Sequence, residues 1–178
     1  MSKQLNQEIV ERRINDLTEY VSRSLHFVEA KNGSFLAFCG AIIVAILSFK
    51  TEYCVQKLFL LGSLLPLFIC ETLLAYSFFP KNKNIKKKKQ RRNKSHEKTL
   101  PLFSCENISE MDRTELREYL SEGFSDYEFN EFENHKITSI INDACAAAHK
   151  YRLFRYALKT LAYLGGIFLG YVFFKVMN

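Results

Sequence analysis

Apolar and polar residues in this chain are segregated into long blocks rather than interleaved at helix or strand period. Asn32 to Phe49 runs 18 residues with Cys39 as its only ionisable side chain. Leu58 to Phe79 and Ala157 to Met177 are similarly apolar. About 20 apolar residues suffice for a helix to cross the hydrocarbon core of a bilayer. The pattern predicts an all-α membrane protein with three transmembrane helices: a hairpin over 32–79, with spans at 32–49 and 58–79, and a third span at 157–178.

The polar blocks carry helical periodicity of their own. Ahead of the first span, Val10, Ile14, Leu17, Val21 and Val28 recur at steps of three and four, with Ser24 or Leu25 filling the gap. This spacing predicts an amphipathic helix over 1–31. No proline or glycine precedes Gly33, so the helix is expected to continue into the span as one rod of about 65–70 Å. Its stripe suits either another cytosolic helix or a second copy of itself. The chain also lacks proline and glycine from Asp126 to Gly165, and Ile137, Ile140, Ile141, Ala144, Cys145, Ala148 and Tyr151 share one face. A last helix of about 75 Å is therefore expected, its first half cytosolic and packed on the N-terminal rod. The cytosolic helical region is assigned to 99–156. In it, MDRTELREYL should form a short helix after Ser109, ended by Gly123, and Ser125 with Glu128 should form a capping box opening the next. The acidic residues Asp126, Glu128, Glu131 and Glu133 suit the positive end of that helix.

Charge sets the expected orientation. The linker 80–98 follows the hairpin directly, and Lys81 to Lys98 holds ten Lys or Arg against one Glu. Basic residues flanking a span are retained in the cytoplasm, so the N-terminus should be cytoplasmic and both the KTEYCVQK loop and the C-terminus outside. The first apolar block begins too late for a signal peptide and is expected to remain in the mature protein. The net charge of +6 thus concentrates at a membrane surface. Lys86, Lys87, Lys88, Lys89, Arg91, Arg92, Lys150, Arg152 and Arg155 are candidate contacts for anionic lipid or for a nucleotide.

Inside the spans, Gly33, Ala37, Ala41 and Ala45 fall at four-residue spacing beside Gly40, and Ala162, Gly166 and Gly170 repeat the device. Small residues at this spacing allow close helix packing in lipid. The second span contains Pro66, a candidate kink, and Glu71, a carboxylate well inside the apolar run. Such a group costs several kcal/mol unless paired, protonated or hydrated. It is either a structural partner, with Lys159 as the nearest candidate, or a pore or gate group.

Catalytic signatures are missing: no phosphate loop, HExxH, GxSxG or paired CxxC occurs. The five cysteines are widely spaced, and the histidines, at 26, 96, 135 and 149, do not cluster. An enzyme is not expected, nor a metal or bound cofactor.

Several short stretches taken together resemble a known family. They are the step Phe27-Val28-Glu29-Ala30-Lys31-Asn32-Gly33 leading into the first span, the hairpin end Ser77-Phe78-Phe79-Pro80, the acidic linker helix, and IINDACAAAHKYRLFRYALK leading into the last span. The combination resembles the Pycsar-type membrane effectors and the wider set of SLATT domains. Their usual Asp-x-Lys-Ala step is held here by Glu29, Lys31 and Asn32, departing at the third place, and Lys150 matches a recurring lysine. The resemblance implies an effector of bacterial antiphage defence in the inner membrane. A partner nucleotidyltransferase or cyclase would make a regulatory nucleotide, or an oligonucleotide as for the related Hailong-type effectors, and the effector would depolarise the membrane and arrest growth. It would do so as a homo-oligomeric ion channel or pore, for instance a tetramer, with Glu71, Glu29 and Lys31 as pore or gate candidates. The alternative is a non-conducting scaffold whose cytosolic helices recruit a partner protein.

Overall fold

A computed structural model of the chain describes residues 2–48, 54–79, 104–124 and 127–177. They form five helices and, among the described residues, no strand: α1 (Ser2–Ser48), α2 (Cys54–Phe78), α3 (Cys105–Glu110), α4 (Arg113–Leu120) and α5 (Glu131–Met177). α1 and α5 are each continuous, and neither contains proline, the residue that would remove a helical hydrogen bond. The helices divide between two compact units, one built from Met1–His26 and Pro80–Ala148, the other from Phe27–Phe79 and His149–Asn178.

In the first unit the stripe of α1 is the core. Val10, Ile14, Leu17 and Val21 are buried against Ile137, Ile140, Ile141 and Ala144 of α5, with Ile108, Leu116 and Leu120 closing the cluster. The amphipathic face of α1 thus meets the predicted face of α5. Asp112 caps α4: its side chain accepts from the backbone of the first turn, while the Glu115 carboxylate accepts from the Asp112 N–H. Arg13 reaches across from α1 and donates to the carbonyls of Leu120 and Glu122, both at 3.0 Å. These carbonyls follow from the end of α4, where backbone acceptors lack helical partners. Gly123 follows at φ 94°, the left-handed conformation that glycine supplies at a helix end.

α5 begins at Glu131, with Glu128 ahead of the helix, so the expected capping box does not open it; Ser125 lies outside the described residues. Asn130 is the cap instead: its Oδ1 accepts from the Glu133 N–H at 2.8 Å, and Glu133 Oε2 accepts from the Asn130 N–H at 2.9 Å. The second oxygen of Glu133 accepts from the Tyr127 hydroxyl at 2.6 Å. Burial first, then this hydrogen bond and the carboxylate charge, hold the Tyr127 phenol above its ordinary pKa, keeping it a donor. Burial likewise raises the Cys105 thiol, which disfavours a reactive thiolate. Asn130→Ala should remove about 1 kcal/mol of stability, read as a lower thermal midpoint with α5 still helical by circular dichroism.

Among the described residues two helices, α1 and α2, carry an 18-residue stretch apolar enough to cross a membrane, with mean hydropathies of 1.8 and 1.6. Only 17% and 22% of those stretches are buried within the chain. Large apolar side chains such as Leu47, Leu61 and Leu65 are exposed there, which suits a lipid surround and not the core of a water-soluble protein. The expected third span, 157–178, is helical to Met177. The core of this second unit is made by Cys39, Ile43, Leu67, Cys70, Leu74 and Ala157, packed by Phe35, Phe154 and neighbouring leucines and isoleucines.

Candidate functional site

The second unit gathers the chemistry that the sequence singled out. α1 and α2 meet along an antiparallel seam of seven-residue step. Asn32 lies against Ser77, and seven residues along α1, Cys39 lies against Cys70, seven residues back along α2. The next register repeats the relation: a Cβ on Gly33 would come 3.9 Å from Phe78 Cζ, and one on Gly40 would come 3.3 Å from Glu71 Oε1. A seven-residue repeat keeps one face of each helix turned to the other.

A polar layer occupies the end of this seam where the apolar run begins. Glu29 Oε1 and Lys150 Nζ form an ion pair between α1 and α5. Lys31 stands over the Phe27 ring at 4.7 Å and the Phe154 ring at 5.6 Å. Its ammonium is therefore held by aromatic faces, which attract a cation through their quadrupole. Asn32, fully buried, donates from Nδ2 to Ser77 Oγ at 2.9 Å, and Ser77 donates to the Leu74 carbonyl at 2.6 Å. Among the described residues no hydrogen-bond donor reaches the buried Asn32 Oδ1. Deeper in, the Cys39 thiol lies 3.8 Å from Cys70 Sγ, and Cys70 donates to the Ala157 carbonyl of α5 at 3.4 Å. Ser77→Ala would deprive Asn32 Nδ2 of its acceptor among the described residues and should cost about 1–2 kcal/mol, measurable as a lower melting temperature in detergent.

Glu71 is half-buried on α2 and rests against the space left by Gly40. Among the described residues no ion pair joins it to Lys159, which is exposed on α5. Pro66 lies within α2 without ending it. Gly33 and Gly40 lie against Phe78 and Glu71 of α2, whereas Ala37, Ala41 and Ala45 are exposed within the chain, as are Ala162, Gly166 and Gly170. Of the basic candidates, Lys150 is taken up by Glu29, and Arg152 and Arg155 are exposed. Lys86, Lys87, Lys88, Lys89, Arg91 and Arg92 lie outside the described residues.

Two relations in this layer join residues far apart in the sequence. Glu29 and Lys150 were each singled out but not as partners, although opposite charges shortly before two apolar runs are a signal for pairing at one membrane depth. The Asn32–Ser77 bond was missed altogether; its signal is a polar residue on each span at matching distance from the hairpin loop.

Neither a curated protein nor a solved structure matches the chain. The profile of the Pycsar effector protein domain matches residues 13–176, a range that takes in all five helices in whole or in large part. With its seam, its boundary ion pair and its apolar hairpin all inside that match, this chain belongs to the Pycsar effector protein domain family.

Proposed function

We propose that this membrane effector of antiphage defence works as a homo-oligomeric ion channel or pore, controlled by a nucleotide or oligonucleotide signal received on its cytosolic helices. The observation that carries the reading is Glu71, a carboxylate in an apolar helix with Gly40 opposite and no ion pair to Lys159 among the described residues. A carboxylate at that depth is costly in lipid, and a water-lined path between subunits relieves the cost. Ala37, Ala41 and Ala45, with Ala162, Gly166 and Gly170, offer small-residue faces on which further helices pack closely. These faces support assembly of several chains around such a path. In this reading α5 supplies the third span over 157–178, the segment 81–98 lies on the cytoplasmic face of the inner membrane, and the C-terminus is outside.

The signal comes from a partner nucleotidyltransferase or cyclase, and Glu29, Lys31 and Lys150 lie at the boundary that a cytosolic ligand must influence. A voltage-sensitive dye in cells carrying the protein and a matching cyclase tests the reading. Depolarisation on induction of the cyclase, absent without it, is expected. An unchanged potential together with capture of a cytosolic protein partner supports instead the non-conducting scaffold.

A further inference from the structure

We propose that the groove beside Lys31 is a binding site for a single anionic phospholipid, with the phosphate on the Lys31 ammonium and an acyl chain along Phe35 and Phe38. The groove is shallow and open, with a volume of about 400 Å³, and is lined by Phe27, Lys31, Ser34, Phe35, Phe38 and Phe154. Ala30 and Ser34, small residues one turn apart on α1, line it between the rings' helix positions. Phe35 and Phe38 stack with centroids 6.2 Å apart, and Phe154 closes edge-on against Phe35 at 5.5 Å. Phe27 and Phe38 are both more than half exposed, so the walls stand open to whatever surrounds the helix.

Two features decide the class of ligand. The first is position: Lys31 is the last charged residue of α1 before the apolar run, which places its ammonium at headgroup depth and the Phe35 and Phe38 rings, further along the helix, among acyl chains. The second is charge. The ammonium is exposed, fixed over two ring faces, and engaged by no carboxylate among the described residues. A water-soluble anion would satisfy the lysine but leave the phenyl walls bare. A zwitterionic lipid would fill the walls but bring its own cation to the lysine. A lipid with net negative charge meets both requirements.

The inference rests on the membrane reading of the chain and is independent of conduction. Its test is native mass spectrometry of the full-length protein, purified in detergent and titrated with phosphatidylglycerol or phosphatidylcholine. Phosphatidylglycerol is expected to bind about fivefold more tightly, the worth of one lysine at an anionic surface. The preference should vanish in Lys31→Gln and persist in Lys31→Arg, with the melting temperature of both variants near that of the parent. Equal binding of the two lipids, or a preference that survives Lys31→Gln, overturns the proposal. So does efficient disulfide crosslinking between copies through Ser34→Cys in membranes, which would put a second chain in the groove. Release of the protein from membranes by alkaline carbonate would overturn the membrane reading itself, a failure distinct from lost lipid selectivity.

Discussion

Glu71→Gln is expected to lower single-channel conductance for cations at least about threefold, since one charge about 7 Å from a permeating ion in water is worth roughly 0.6 kcal/mol. A homo-oligomer carries one such carboxylate per subunit, so the summed effect is larger than for a single site. The substitution keeps the shape of the side chain and its fit against Gly40, where a Cβ would stand only 3.3 Å from Oε1. Folding is therefore spared: glutamine at this depth is cheaper than a carboxylate in lipid, and the melting temperature should hold or rise. Loss of conductance with retained stability is the signature of a conducting role. A structural role predicts the opposite pattern, with conductance unchanged and stability lost.

Lys150→Glu should be the most destabilising of the single substitutions at the boundary layer. It sets a second carboxylate against Glu29 at a place where the lysine side chain is 14% exposed and the glutamate 37%. Breaking a fully buried pair costs about 3–5 kcal/mol, and the partial exposure of Glu29 reduces this to about 2 kcal/mol. The double exchange Glu29→Lys with Lys150→Glu should recover most of the loss, because the charges then attract again. A double-mutant cycle on thermal unfolding in detergent checks this; a double exchange no more stable than the single would mean that the pair contributes nothing. If the layer also transmits the cytosolic signal, Lys150→Glu should shift the nucleotide dependence of depolarisation, whereas Asn130→Ala, at the cap of α5, should not.

Much of this architecture is legible along the chain because its cores are local in pattern. Val10, Ile14, Leu17 and Val21 announce a stripe, and Ile137, Ile140, Ile141 and Ala144 announce its counterpart; all are buried together. The apolar runs are equally plain. What sequence cannot supply is the choice between equivalent local solutions. Ser125 with Glu128 and Asn130 with Glu133 both satisfy the capping pattern, and the second has the added bond from Tyr127 to Glu133. The rotation of a uniformly apolar helix is ambiguous for the same reason. Spacing alone marks Ala37, Ala41 and Ala45, yet α2 packs on the side of α1 bearing Asn32, Cys39 and Ile43. The Glu29–Lys150 pair spans 121 positions, so its only trace in the sequence is that each charge shortly precedes an apolar run.

Recording from purified protein in a planar lipid bilayer tests the central claim most directly. With the nucleotide product of the partner cyclase on the side proposed to be cytosolic, the account predicts discrete, signal-dependent conductance steps that shrink in Glu71→Gln. A flat baseline from protein shown to be inserted and oligomeric, with and without the signal, would contradict it.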